Sequence, residues 1–231
     1  MKQLKIQKEI KDDYATTEAF NTLKTNLAFC GEQNRVIMVT STLPGEGKSE
    51  VSLYLAHALA ENGKKALYLD CDIRKSVMIG KYKIEGVDKA LTHYLSGQAT
   101  MDDIIYSTEY DNMYMVLAGP VAPNPTELLD SEEFRKLVAK VRGEYDYVIV
   151  DVPPLGVVID AAIVGKYVDG AIVVVEQGTI RKRMVINVIK QLKRSNINVL
   201  GAVLNKIDET NSSYYSGYYK GYYKEYGEYK N

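Results

Sequence analysis

A glycine-rich stretch between a hydrophobic run and a helical pattern constrains the fold of this chain most. The stretch reads TLPGEGKS and occupies residues 42–49. It follows the apolar run at 35–41 and leads into apolar helical spacing over 48–62. A strand, a loop and a helix in this order are what a phosphate-binding loop requires, and an ordinary turn before a helix is the less favoured alternative. Thr42 stands where such loops usually have their first glycine, so the sequence predicts a variant loop.

The residue types in this loop suit the phosphates of a nucleotide. Glycines let the backbone turn its N–H groups toward an anion, and the helix that follows adds the positive end of its dipole. Lys48 is expected to reach the terminal phosphates of a nucleotide, and Ser49 is expected to ligate Mg²⁺. The predicted nucleotide-binding residues of the loop are Pro44, Gly45, Glu46, Gly47, Lys48 and Ser49.

The order of predicted elements indicates an α/β fold with a doubly wound, mostly parallel sheet and helices on both faces, as in P-loop NTPases. Several strand-like runs are apolar throughout, which is typical of strands covered on both sides. The runs lie at 35–41, 65–70, 113–118, 145–151, 170–176 and 198–204. Helical patterns lie at 16–30, with Thr16 or Thr17 as the cap, and at 48–62, 87–96, 102–106, 126–142, 159–167 and 179–194.

Composition divides the chain into an N-terminal segment and helix (1–34), a P-loop domain (35–208) and a flexible tyrosine-rich tail (209–231). The formal net charge of −1 disfavours nucleic acid as a partner, because such proteins normally present a strongly basic face. The two cysteines, Cys30 and Cys71, lack metal-ligand spacing, so we expect a reduced, cytoplasmic protein. No apolar run approaches the ~20 residues that span a bilayer, so we expect membrane association only through a partner.

Three carboxylates follow predicted parallel strands. Asp70 and Asp72 end the second strand two residues apart, and Asp151 ends the fourth. Ligands of such sheets bind outside the carboxyl ends of the strands, so these side chains are expected near the phosphate-binding loop. Carboxylates of this kind suit Mg²⁺, although strand-end aspartates taken singly also cap helices or stay solvated.

Weaker signals come from five other positions. Asn205 ends the last strand and could hydrogen-bond a nucleotide base, although asparagine is also common in turns. Arg181 or Arg183 could contact a phosphate or a partner, and a solvated basic face is the alternative. His57 and His93 lie in helical patterns without a second ligand at metal spacing, so we interpret both as structural.

The end of the chain is a low-complexity tyrosine tract. Glycines and the lack of aliphatic residues argue against a packed helix there. The tract is either an adhesive interaction segment or a set of accessible phenols that a nucleotide-dependent enzyme could phosphorylate. The tyrosines concerned are Tyr214, Tyr215, Tyr218, Tyr219, Tyr222, Tyr223, Tyr226 and Tyr229.

Taken together, these motifs resemble those of the bacterial tyrosine kinases (BY-kinases) of capsule and exopolysaccharide synthesis, from about residue 18 to the end. The resemblance rests on TSTLPGEGKS, LYLDCDIR, LSGQATMDDII, LAGPVAPNPTELLDSEEF, YDYVIVDVPP and the tyrosine tail. Members are similar in fold to the deviant P-loop ATPases of chromosome partition and septum placement. The signature lysine of those relatives would fall at Leu43 and is absent here.

The resemblance implies an ATP- and Mg²⁺-dependent autokinase that phosphorylates its tail tyrosines in trans and regulates polysaccharide polymerisation and export. It implies that Asp70, Asp72, Asp151 and Ser49 organise the metal. It also implies that Lys48, Asp70 and Asp72 are catalytic, with Asp70 as the base. Implied partners are a chain-length-regulating transmembrane adaptor, which recruits the kinase to the inner face of the membrane and completes the nucleotide site, a cognate tyrosine phosphatase, and further copies in a ring. The lack of a membrane span fits the Firmicute arrangement, in which kinase and adaptor are separate chains.

The chain departs from the family at the motif used for ring assembly, E-x-x-R-x-x-R. Glu18 is present, but Asn21 and Lys24 replace the two arginines. Lysine lacks the bidentate fork of arginine, and asparagine carries no charge, so we expect weaker self-association. The competing function is a nucleotide-switched regulatory ATPase or scaffold of the polysaccharide machinery. A partition-type ATPase is disfavoured by Leu43 and by the tail.

Overall fold

The computed structural model describes residues 2–10 and 13–207. The strands are β1 (Lys5–Ile6), β2 (Val36–Ser41), β3 (Ala66–Asp70), β4 (Ile84–Glu85), β5 (Tyr106–Ser107), β6 (Met113–Val116), β7 (Tyr147–Asp151), β8 (Gly170–Glu176) and β9 (Val199–Asn205). The helices are α1 (Tyr14–Phe29), α2 (Lys48–Glu61), α3 (Met78–Tyr82), α4 (Leu91–Leu95), α5 (Met101–Ile104), α6 (Pro125–Leu129), α7 (Glu132–Glu144), α8 (Asp160–Val164) and α9 (Lys182–Arg194), with a 3₁₀ helix at Gly165–Tyr167.

The main sheet has seven strands in the order β5-β6-β3-β7-β2-β8-β9. Neighbouring strands pair in parallel, except for β5 and β6 at one edge, which are antiparallel. Two hydrophobic clusters of buried side chains lie against the sheet. The predicted doubly wound, mostly parallel fold is confirmed.

The register of the central strands brings the predicted carboxylates together. All residues of β2 and β3 are buried, as their continuous apolar sequence predicts. Asp70 at the end of β3 pairs directly with Asp151 at the end of β7. The phosphate-binding loop leaves β2, which is the other neighbour of β7. The site therefore depends on three adjacent parallel strands that end at the same edge.

Several predicted helices differ from the observed ones. The pattern at 126–142 forms two helices, because Ser131 accepts a hydrogen bond from the Phe134 N–H and starts α7 anew. The pattern at 102–106 is helical only as far as the end of α5, and Tyr106 belongs to strand β5. The pattern at 87–96 is helical only over α4. The pattern at 159–167 gives α8 and then the 3₁₀ helix, and that at 179–194 is helical from Lys182.

The sequence missed a short strand pair near the N-terminus. Strand β1 pairs with β4 in a second, two-stranded antiparallel sheet. The pair buries Leu4 and Ile6 beside Met78 and Tyr82 of α3. Strands of two residues leave no periodicity to detect, so the sequence pattern could not predict them.

The predicted cap of α1 at Thr16 or Thr17 is wrong. The helix begins at Tyr14, and the Asp13 carboxylate accepts a hydrogen bond of 2.7 Å from the Thr16 N–H. Asp13 is therefore the N-cap, and both threonines lie inside the first turn. In the part of the chain that the structure describes, no helix is long and apolar enough to cross a bilayer.

The observed cap makes a testable prediction about stability. Asp13→Ala should lower the free energy of unfolding by about 1 kcal/mol, because it leaves an N–H of the first turn without its partner. Thr16→Ala, a matched change three residues away, should leave it nearly unchanged. Urea unfolding of the three proteins measures both values, and a larger loss for Thr16→Ala would contradict this cap.

Candidate active site

The phosphate-binding loop has the backbone that its glycines predict. Gly45 and Gly47 both adopt a φ of 91°, a left-handed conformation that disfavours other residues. Gly47 is the N-cap of α2, and no side chain caps the helix there. The N-terminus of α2 is therefore open to an anion, which its dipole attracts.

Lys48 lies at the centre of the predicted site. Its Nζ is 3.1 Å from Asp72 Oδ2, 3.2 Å from Asp151 Oδ1 and 3.1 Å from Ser49 Oγ. Burial alone would lower the pKa of Lys48, but the Asp151 and Asp72 carboxylates outweigh it and raise the pKa. The structure thus brings together the lysine, the serine and two of the carboxylates that the sequence selected.

Asp70 is close to this group but makes other contacts. Its Oδ1 accepts a hydrogen bond from the Asp72 N–H at 3.0 Å, and its Oδ2 accepts one from the Ser76 hydroxyl. Complete burial, helped by the negative charge of Asp151, raises the pKa of Asp70 to about 7. Asp70 is therefore a stronger proton acceptor than an ordinary carboxylate, but it is already hydrogen-bonded by its own loop.

The site suits Mg²⁺ held together with nucleotide phosphates. Over residues 2–10 and 13–207, no three carboxylate, cysteine or histidine side chains are grouped so as to hold an ion by themselves. Mg²⁺ typically takes one or two carboxylates and completes its shell with hydroxyl, water and phosphate oxygens. Ser49, Asp72 and Asp151 provide such a partial set, and Lys48 places a positive charge between the two carboxylates.

Tyr68 is a residue of the site that the sequence did not reveal. It is fully buried on β3, and its hydroxyl donates to Asp151 Oδ2 at 3.1 Å. The other oxygen of Asp151 accepts from Lys48, so the orientation of this carboxylate is fixed from two sides. A tyrosine inside an apolar strand looks like core, and only the alignment of β3 with β7 identifies its role.

A second unpredicted cluster holds the loop that follows Asp72. The Arg74 guanidinium donates to both oxygens of the fully buried Asp160, one of them at 2.8 Å, and to the Thr126 hydroxyl at 2.9 Å. Paired donors from one arginine to one carboxylate are among the stronger side-chain contacts in proteins. The cluster fixes the loop after β3 against α6 and α8.

The side chains of Glu46 and Asn205, both predicted to bind nucleotide, make hydrogen bonds to the protein backbone. The buried Glu46 carboxylate accepts from the Leu43 N–H and, at 3.2 Å, from the Glu176 N–H, so it can offer a nucleotide only its backbone. Asn205 Nδ2 donates to the Glu46 carbonyl at 2.9 Å.

Gly156 packs so tightly against Thr42, at the start of the phosphate-binding loop, that a Cβ at position 156 would lie 2.1 Å from the Thr42 carbonyl oxygen.

The remaining predicted residues lie away from this group. Glu18, Asn21 and Lys24 are on α1, where Asn21 donates to Glu18 and accepts from Lys24. Arg181 and Arg183 are exposed at the start of α9.

Both histidines make contacts that suit structural roles. His57 packs edge-on against the Tyr110 ring, with the ring centres 4.6 Å apart. His93 Nδ1 accepts from the Ala90 N–H. The eight predicted acceptor tyrosines lie outside the described residues.

The raised pKa of Asp70 predicts a pH-dependent cost to stability. A pKa of about 7 in the fold, against an ordinary 3.8, means that ionising Asp70 destabilises the folded state as pH rises from about 4 to about 7. Asp70→Asn removes that charge and keeps the shape, so it should stabilise the nucleotide-free protein by up to roughly 4 kcal/mol at pH 8. The gain should shrink toward pH 5.

Urea unfolding with EDTA present measures the difference between the two proteins at each pH. An unchanged gain between pH 5 and pH 8, or a loss at pH 8, would contradict this assignment. The measurement does not depend on activity.

Comparison with known proteins identifies the family. Residues 34–202 match a family described as an AAA domain. The Tyrosine-protein kinase CpsD of Streptococcus agalactiae serotype III (strain NEM316) is 40% identical over 209 residues, which cover 90% of this chain and 90% of the relative. The solved kinase domain of the Escherichia coli tyrosine kinase ETK matches with a TM-score of 0.81 and 32% identity, over 87% of this chain and 79% of that one.

A more distant solved structure bears on the nucleotide. The septum site-determining protein MinD of Pyrococcus horikoshii OT3, in complex with Mg-ADP, matches with a TM-score of 0.65 and 26% identity, over 76% of this chain and 72% of that one. The resemblance to bacterial tyrosine kinases and to septum-placement ATPases is confirmed. The chain belongs to the bacterial tyrosine-protein kinases, which share their P-loop fold with MinD.

Proposed function

We propose that this chain is an ATP-dependent protein-tyrosine kinase that phosphorylates its own C-terminal tyrosine cluster in trans. The observation that carries the proposal is the position of Lys48, between Asp72 and Asp151 and beside Ser49 at an open helix N-terminus. The relatives named as tyrosine-protein kinases support the same activity.

The residues around Lys48 would bind Mg-ATP by exchanging partners. The backbone of the loop and the N-terminus of α2 receive the phosphates, and Lys48 moves from the two carboxylates to the terminal phosphates. Ser49, Asp72 and Asp151 would then hold Mg²⁺. The metal would neutralise charge on the phosphates as the phosphoryl group transfers.

Asp70 is the proposed proton acceptor for the incoming tyrosine. A phenol has a pKa near 10 and keeps its proton at neutral pH, so transfer gains from a nearby base. The Asp70 carboxylate takes the phenolic proton, the phenolic oxygen forms the new bond to the γ-phosphorus, and ADP leaves. Asp70 is fully buried here, so a phenol could reach it only once the site opens. Lys48 and the loop N–H groups stabilise the charge on the transferring group.

The acceptors would be the eight tail tyrosines of a neighbouring copy. An adaptor with a cytoplasmic tail would recruit the kinase to the membrane and complete the nucleotide site. The exposed apolar side chains of Val157 and Ile159, close to the Gly156 contact with the loop, offer such a tail a surface. A cognate phosphatase would reverse the modification, and the cycle would regulate capsule or exopolysaccharide polymerisation and export.

The second candidate function is a nucleotide-operated switch without robust kinase activity. It is favoured by the salt bridges of Lys48, which bind the two carboxylates to each other through one cation. Nucleotide must break at least one of these contacts, so its binding would change the loop that carries Asp72. The tail would then serve only for docking.

Intact mass distinguishes the two functions. Incubation with Mg-ATP should add successive phosphates of about 80 Da to the wild-type protein and none to Lys48→Met, which lacks the cation at the centre of the site. Peptide mapping should locate every phosphate within residues 214–231. Circular dichroism of Lys48→Met confirms that the control is folded.

An unchanged mass in the presence of the adaptor would reject the kinase and favour the switch. Phosphates confined to tyrosines outside residues 214–231 would reject the proposed acceptor. Mixing Lys48→Met with an active, tail-deleted chain tests the trans reaction, because only a neighbour could then phosphorylate the tail.

The contacts of α1 predict weak self-association. Glu18, Asn21 and Lys24 form a hydrogen-bonded chain along their own helix, and neither substitute provides the arginine fork. Light scattering at low micromolar concentration should therefore find mostly species smaller than an octamer. The double variant Asn21→Arg/Lys24→Arg should shift the distribution to larger species. A stable wild-type octamer would contradict the prediction.

A further inference from the structure

Two strand-end residues hold the carbonyl groups of the phosphate-binding loop. Asn205 Nδ2 donates to the Glu46 carbonyl at 2.9 Å, and Lys206 Nζ donates to the Gly45 carbonyl at 2.6 Å. Two consecutive peptide groups of the loop are thus held from outside by neighbouring residues at the end of β9.

The orientation of these carbonyls fixes that of the loop N–H groups. The structure has no cis peptide bond in the described residues, and in a planar trans peptide the C=O and N–H point in opposite directions. With the Gly45 and Glu46 carbonyls drawn toward β9, the N–H groups of Glu46 and Gly47 point the other way. Successive N–H groups turned to one side form an anion-binding nest.

We propose that Asn205 and Lys206 are positioning residues for nucleotide phosphates, and that Asn205 acts through the loop rather than by reading the base. This inference rests on the proposed nucleotide-binding function and adds to it the residues that pre-form the nest. Lys206, which directly follows β9, is thereby a second lysine that acts on the phosphate-binding loop.

A closed ring of contacts supports the assignment. Lys206 Nζ also lies 3.1 Å from Glu176 Oε2, and the Glu176 N–H donates to the Glu46 carboxylate at 3.2 Å. These contacts lead from the Gly45 carbonyl through Lys206 and Glu176 to the Glu46 carboxylate. Asn205, the chain neighbour of Lys206, adds a second link by donating to the Glu46 carbonyl. The ring ties the loop to the ends of both β8 and β9.

Two backbone features indicate that the ring is specifically built. Lys206 adopts a φ of 54°, a left-handed conformation that is uncommon for a residue with a side chain. At Gly47, a Cβ atom would lie 2.1 Å from Asn205 Nδ2, so the amide occupies the space that any larger residue would need. Gly47 is therefore required both by its own φ and by the close approach of Asn205.

Calorimetric titration with Mg-ADP tests the role of Lys206. Lys206→Met keeps the length of the side chain but removes the donor, and it should weaken ADP binding by about tenfold, or about 1.4 kcal/mol. Lys206→Arg keeps a cationic donor and should restore affinity to within about threefold of wild type. Lys190→Met, a matched change on an exposed part of α9, should leave affinity unchanged.

Titration with two nucleotides tests Asn205. Inosine triphosphate differs from ATP at the 6-position of the base but carries the same phosphates. Asn205→Ala should weaken both nucleotides by the same factor, because the loop is what changes. A changed ratio between the two would overturn the inference and return Asn205 to base recognition.

Wild-type affinity in Lys206→Met would also overturn the inference, as would an arginine variant no better than methionine. Failure of the proposed function gives a different result. In that case the wild-type protein itself binds no ADP, and Lys48→Met does not differ from it.

Discussion

The ammonium group of Lys48 lies between two buried carboxylates, and the surrounding structure depends on that arrangement. Asp72 and Asp151 come from two different strand ends, and each approaches Lys48 Nζ within 3.2 Å. Two carboxylates this close and this buried repel each other, and the cation between them offsets that repulsion. The same position is where a nucleotide-bound metal ion would be needed. Lys48 therefore provides here the positive charge that Mg²⁺ would provide once a nucleotide is bound.

The parallel sheet makes this charge cluster possible. Asp70 and Asp151 are partners in the register of β3 and β7, and the loop that carries Lys48 leaves β2 on the other side of β7. Hydrogen bonds from neighbouring side chains limit how far these carboxylates can move. Tyr68 fixes Asp151, and Arg74 anchors the loop after Asp72 to Asp160. Breaking such a buried ion pair by removing one partner typically costs about 3–5 kcal/mol, so the exchange of Lys48 requires a ligand that brings its own charge.

Sequence reasoning located most of the side chains that lie together at this site, because parallel strands end at the same edge of their sheet. The positions of Asp70, Asp72 and Asp151 followed from the strands alone, and Lys48 and Ser49 from the loop between strand and helix. Tyr68 escaped because a tyrosine in an apolar run has the pattern of a core residue. The partnership of Arg74 with Asp160 spans 86 residues, and no local pattern encodes such a contact.

The remaining differences also arise from hydrogen bonds that the sequence pattern does not show. The apolar spacing of 126–142 continues across Asp130, so only the hydrogen bond of Ser131 shows that a second helix begins there. Asn205 was assigned by its position after a strand, but the direction of its amide depends on tertiary contacts with Glu46. The position of a residue at a strand end thus predicts that it lies at the site. Its hydrogen-bond partners there depend on tertiary contacts.

A crystal structure of this chain with Mg²⁺ and a non-hydrolysable ATP analogue tests directly whether Lys48 exchanges the carboxylates for phosphates. Lys48 Nζ should leave at least one of Asp72 and Asp151 and contact the terminal phosphates. A metal ion should take its place beside Ser49. A nucleotide bound with Lys48 still on both carboxylates, and with no metal beside Ser49, would contradict it.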